Sequence, residues 1–183
     1  MSTLQTTAPA RLLYLHMGSK EPQRQIDFYK RMLDLQGERQ ADGSAVLLGP
    51  NRAVHISPAD HCGLLAAAYR LASPQHLGEL RQRLEQKGCP VADVDSPLLD
   101  AGAFSIRDPQ GRETLFGTSS TPQHADLPGM PGRLQHVVFQ TTELEAIVDF
   151  YVNTVGFTVS DNVVDAESGQ LMVCFLRSDD EHH

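Results

Sequence analysis

The sequence predicts an α+β fold in which a β-α-β-β-β unit is used in tandem and its second copy is incomplete. Two observations carry this. The first is self-similarity: Arg11-Leu-Leu-Tyr-Leu-His-Met-Gly-Ser19 lies above Arg133-Leu-Gln-His-Val-Val-Phe-Gln-Thr141. At the same ungapped offset of 122, Asp27-Phe28-Tyr29 falls on Asp149-Phe150-Tyr151. The second is the change of period within each copy: an apolar run of strand length gives way to a helical stripe and then to short strand signals.

In the first copy, residues 12–17 read as the opening strand. Ile26, Tyr29 and Leu33 then form one helix face, with Ser19 as candidate cap and Pro22 in the first turn, where its missing amide has no partner to lose. Short strands are expected at 45–48, 53–56 and 63–71. A second helix is expected at 74–87: Ser73 caps it, Pro74 opens it, Leu77, Leu80 and Leu84 form its stripe and Gly88 ends it. Phe104–Arg107 and Thr114–Phe116 flank Asp108-Pro-Gln-Gly111, where Pro sets φ and Gly tolerates positive φ. Residues 118–132 hold three Pro and two Gly without periodicity and read as a linker.

The second copy restarts with a strand at 134–139. A helix follows whose stripe is Leu144, Ile147, Val148, Tyr151 and Val155, with Thr142 and Glu145 at capping-box spacing. Strands are expected at 157–164 and 171–177. The organisation expected is therefore a tail at 1–10, a first unit at 11–117, the linker at 118–132, and the start of a second unit at 133–183. By the repeat, that unit needs another 55–60 residues or so, which points to a fragment or to a fold completed in another way.

Composition excludes several functions. With 183 residues and 40% apolar content the chain can bury a core. Its 15 Lys and Arg against 23 Asp and Glu supply no basic patch for nucleic acid. No run approaches the length of a bilayer span, and the N-terminus shows neither a basic start nor an apolar secretory core. Cys62, Cys89 and Cys174 are odd in number and far apart, so neither a disulfide framework nor a metal knuckle is expected. A reducing, cytoplasmic compartment is the reading.

The tandem unit, its Asp-Phe-Tyr, the stretch Asp108-Pro-Gln-Gly-Arg-Glu-Thr-Leu-Phe-Gly117 and the ending Phe175-Leu-Arg-Ser-Asp-Asp-Glu-His-His183 resemble the vicinal oxygen chelate superfamily. Within it they are most similar to the type I extradiol ring-cleavage dioxygenases. The resemblance implies paired βαβββ modules whose curved mixed sheets form a cup. It implies a non-haem Fe(II), or Mn(II), held by two His and one Glu in the second module, with open positions for a catecholate and O2. It places a metal ligand at His136, the acid/base at His183 and a substrate contact at His182. An imidazole suits proton transfer near neutral pH. The second His ligand and the Glu would lie past residue 183.

In the first unit, Tyr14 stands where His136 stands, Leu64–Ala68 covers the second ligand position, and Leu115 lies seven residues after Asp108, where the superfamily has its Glu. The resemblance therefore implies a metal-free first unit. Glu113, two residues off on the same strand face, is a weak substitute. Standing alone, His136 would read as a packed core histidine and His182-His183 as a tail; the repeat and the family order favour the functional readings. His55 and His16 read as structural, and His61, His76 and His124 as solvated. The expected activity is an extradiol-type dioxygenase acting on a small aromatic substrate with O2, as a homo-oligomer. With one ligand of three, the chain as given is expected to be inactive by itself. The alternatives are a metal-free small-molecule binder of the resistance type and a glyoxalase-type metal isomerase. The second draws ligands from two modules, which the empty first unit disfavours.

Overall fold

In the computed structural model, residues 9–120, 127, 129 and 131–179 are described. The first unit contributes β1 (Ala10–Ser19), α1 (Pro22–Leu33), β2 (Ala45–Gly49), β3 (Arg52–Pro58), β4 (Gly63–Leu71), α2 (Pro74–Gln86), β5 (Ala92–Asp93), β6 (Phe104–Arg107) and β7 (Glu113–Gly117). These strands form one curved, unclosed mixed sheet in the order β2-β3-β1-β4-β7-β6-β5. The sheet is itself double. The parallel pair β1/β3 with antiparallel β2 outside it is matched by the parallel pair β4/β7 with antiparallel β6 outside it. Antiparallel pairing of β1 with β4 joins the halves.

Strand alternation gives the two faces different jobs. On one face, α1 covers Ala45, Leu47, Val54 and Ile56. Beside it, α2 covers Leu71, Phe104, Ile106 and Phe116 through Leu77, Leu80 and Leu84. On the other face Tyr14, Ala53, Ala66, Ala68 and Leu115 form a hollow that Leu98, Leu99 and Ala103 fill. A register shift between Leu12 and Tyr14 lets β1 place Ala10 in the helix-side core and Tyr14 in the hollow, although both positions are even.

The second copy supplies α3 (Leu144–Asp149), which widens into a π-helical turn at Phe150–Val155, and a hairpin of β8 (Thr158–Val164) and β9 (Leu171–Arg177). Its helix does not start a separate core. Ile147, Tyr151, Val155 and Phe157 join the cluster under α2. The buried residues of this helix recur at four-residue spacing, because the wide turn moves Val155 into line with Tyr151; Gly156 then ends it at φ 104°. Both caps differ from expectation. Ser19 accepts from the amide of Glu21, ahead of the helix, and Thr141 rather than Thr142 accepts from Glu143 N. Ser73 caps α2 as expected, through His76 N.

The strand expected at 134–139 does not form. The reason lies in the ladder. β1 is flanked on both sides, by β3 and β4. In the register of the repeat, with six extra residues in the second copy, the counterparts of those flanks fall at 180–186 and 191–199. The described residues therefore offer 134–139 no partner, and an extended segment without one gains no ladder bonds. β8 and β9 correspond to 36–42 and 43–49. There the first unit makes only the isolated bridges Gln36–Leu48 and Arg39–Ala45, which the second copy extends into a full hairpin.

Candidate functional site

The three positions where the superfamily resemblance puts metal ligands lie abreast in the first unit. Tyr14 pairs across the ladder with Ala68, and Ala68 with Leu115. They present a phenol, a methyl and an isobutyl group. Leu98 and Leu99 pack on the same row, and Ser96 from that loop shares a 2.7 Å hydrogen bond with the Tyr14 hydroxyl. Burial raises the Tyr14 pKa; the Ser96 bond opposes this and Glu113 adds to it. The Tyr14 phenol is thus bonded to Ser96 and packed beside Leu98 and Leu99.

One pleat further along, the ladder row reads His55, His16, Ala66, Glu113. The two imidazoles stack with centroids 4.1 Å apart and planes 11° off parallel. Ser57 Oγ lies 2.9 Å from His16 Nε2 and 3.4 Å from His55 Nε2. Ring lone pairs lie in the ring plane, so in stacked rings they run side by side and do not meet on one cation. Glu113 is separated from His16 by Ala66 and is paired with Arg107 at 3.4 Å. The stack is absent from the sequence reading because nothing local links residues 16 and 55; only the parallel register of β1 and β3 does.

This stack gives a pH prediction. Burial lowers the pKa of both imidazoles. His55 is brought down to about 4, with the His16 charge adding to the drop and Asp42 opposing it; Glu113 opposes it at His16. Below about pH 6.5 the unfolded chain takes up a proton that the folded chain refuses. Stability is therefore full above that pH and falls as pH drops toward 4. The loss for His55 is expected at about 1–3 kcal/mol after allowing for its partial exposure. Urea midpoints at pH 7 and pH 4.5 read it, and His55→Gln should flatten the difference; an equal drop in the variant would exclude the stack as its source.

In the second copy, His136 stands exposed on the unpaired extended segment. It does not face the hollow of a sheet, as the expected strand would have made it do. It lines a cavity of about 330 Å³ where β1 begins and β4 ends, together with Leu12, Tyr69, Phe157 and residues of β9. His182 and His183 lie outside the described residues. Among the described residues, no three His, Cys, Asp or Glu side chains come together as a group that could hold a metal. No helix among them is long and apolar enough to cross a membrane.

Residues 133–183 match the family model of the Glyoxalase/Bleomycin resistance protein/Dioxygenase superfamily. Among curated proteins no relative matches. Solved structures do. BphC, a halotolerant catechol dioxygenase, aligns with a TM-score of 0.71 at 20% identity, over 87% of this chain and 59% of that one. The Mn(II)-bound glyoxalase from Novosphingobium aromaticivorans aligns with a TM-score of 0.67 at 22% identity, over 92% and 59%. The 2,3-dioxygenase LapB from Pseudomonas sp. KL28 aligns with a TM-score of 0.78 at 15% identity, over 94% and 67%. The chain thus spans about three-fifths of the first two proteins. It has the fold these dioxygenases and the glyoxalase share, and its residues 133–183 carry the sequence pattern of the Glyoxalase/Bleomycin resistance protein/Dioxygenase superfamily.

Proposed function

We propose that this chain comprises the scaffold unit and the opening of the chemical unit of an extradiol-type dioxygenase, acting on a small catecholic ring with a divalent metal and O2. One observation carries the reading: the row Tyr14, Ala68, Leu115. All three ligand positions of the first unit are in ladder register, and under Leu98 and Leu99 none of them carries the imidazole or carboxylate that the resemblance expects. A unit so packed supports and does not react, which leaves the chemistry to the second copy, where His136 takes the place of Tyr14. The likeness in fold to a catechol dioxygenase and a 2,3-dioxygenase supports the same assignment.

The described residues do not by themselves fit a metal centre, since they bring no ligand group together. His136 is the one ligand assigned here, with His182 as a substrate contact and His183 as the acid/base. The metal is Fe(II) or Mn(II) in this reading, and the site is cytoplasmic and homo-oligomeric. The test is an anaerobic Fe(II) titration of the full chain, with and without 4-nitrocatechol. Weak Fe(II) uptake is expected, lost in His136→Ala and unchanged in Tyr14→Phe. Uptake that survives His136→Ala would end the assignment. The missing ligand group also favours a second reading, a metal-free small-molecule binder; stoichiometric 4-nitrocatechol binding in the presence of chelator would select it.

A further inference from the structure

The cavity beside His136 has a charge that the rest of the chain does not predict. The chain carries a net charge of −8, yet among the described residues three arginines, Arg11, Arg133 and Arg177, line this space against one carboxylate, Asp179, and of the three Arg11 and Arg133 already have partners. Asp179 is taken by Arg11 at 3.6 Å. Arg177 is half-buried at the end of β9, and none of the described residues pairs with its guanidinium. Tyr69 lines the same space from β4, and its hydroxyl has no hydrogen-bond partner among the described residues. Burial holds that phenol above its usual pKa, so it stays a donor at neutral pH. Arg177 and Tyr69 thus border one cavity, and among the described residues neither the guanidinium nor the phenol has an acceptor. Leu12, Val137, Phe157 and Phe175 give the space an apolar side, while Asn51, Gln135, His136, Ser160 and Ser178 add uncharged polar groups to its lining.

We propose that this cavity binds a small carboxylate with a planar, apolar body. A guanidinium offers two parallel N–H groups that match the two oxygens of a carboxylate. The Tyr69 hydroxyl can supply a third donor. The aromatic walls favour a flat body, and about 330 Å³ lies in the size range of small-ligand sites and leaves room for a single ring. A neutral ligand of the same shape would cover the guanidinium without pairing it, and an unpaired buried charge is costly. The geometry therefore selects for the anion as well as for the ring. β9 holds the site closed at one side, since Ala10 N donates to Ser178 O at 2.8 Å and ties the hairpin to the start of β1. This inference is independent of the dioxygenase reading: the ligand needs neither vicinal hydroxyls nor a metal.

Fluorine NMR on the full chain at pH 7 tests it, with 4-fluorobenzoate as the probe and 4-fluorobenzyl alcohol as its neutral match. Saturable binding of the benzoate is expected, with a Kd of about 1 mM or tighter, and at least about tenfold weaker binding of the alcohol. Arg177→Gln should weaken the benzoate by about tenfold or more with an unchanged thermal melt. Tyr69→Phe keeps the ring in the core, removes one donor and should weaken it about threefold or more. The proposal is overturned by no saturation up to about 20 mM probe (a ceiling about twentyfold above the expected Kd), by equal binding of the alcohol, or by full affinity in either variant.

Discussion

Tyr151→Ala is expected to destabilise the chain by about 3–5 kcal/mol, a large share of the stability of any domain of this size. Tyr151 belongs to the second copy by sequence but to the core of the first unit by position. It is 4% exposed and its ring stacks on Phe157 at 5.6 Å. Its hydroxyl bonds Thr114 Oγ1 at 3.1 Å, on β7. Burial pushes its phenol up to about 12, so it is neutral at neutral pH. Truncation opens a cavity and leaves the buried Thr114 hydroxyl without its partner. Tyr151→Phe removes only the hydrogen bond and should cost about 0.5–1.5 kcal/mol. Urea unfolding followed by circular dichroism separates the two. A loss below about 1 kcal/mol for the alanine variant would contradict one shared core, given the usual cost of emptying an aromatic site. So would a two-step transition in which the second copy melts first.

Asp108→Ala should cost about 2–4 kcal/mol and loosen the segment before α3. The Asp108 side chain is fully buried. Its Oδ1 accepts from the amides of Gln110 and Arg112 at 2.9 Å each, and its Oδ2 pairs with Arg112 Nη1 at 3.1 Å. Arg112 then reaches out of the turn. Its Nη2 donates to Gln140 O at 2.6 Å, and its guanidinium lies 5.3 Å from the centre of the Phe139 ring. One carboxylate thus sets the tight turn and aims the arginine that holds residues 139–140. Removing it strands a half-buried cation as well as two amides. Asp108→Asn keeps an acceptor for the amides but not the charge, and should fall between wild type and alanine. Faster proteolytic cleavage near residue 140 in Asp108→Ala, along with the lower urea midpoint, is the expected pair of results. A normal cleavage rate would show that the arginine is held by something other than Asp108.

The clearest signals in the sequence are those whose physics is local. The second helix was legible from Ser73 to Gly88 because capping, the Pro at its first position and a Leu stripe act within a few residues. The turn Asp108-Pro-Gln-Gly111 was legible for the same reason, and Gly111 takes the positive φ it requires. The repeat at offset 122 located α3 correctly, since a helix satisfies its own backbone. It placed a strand at 134–139 incorrectly, since a strand depends on partners far along the chain. The emptiness of the first unit was visible as residue types at Tyr14, Ala68 and Leu115. That they form one row, plugged by Leu98 and Leu99, was not.

The same division holds across the protein. Sequence alone determined the helices, the turns and the α+β class, because each follows from neighbours or from self-similarity, and it offered the imidazole at position 136 as a candidate through the family resemblance. Tertiary structure alone decided that the second-copy helix shares the first unit's core, that His16 stacks on His55, and that Arg177 and Tyr69 face one cavity. Those outcomes depend on ladder register between strands dozens of residues apart, and no window along the chain contains both partners.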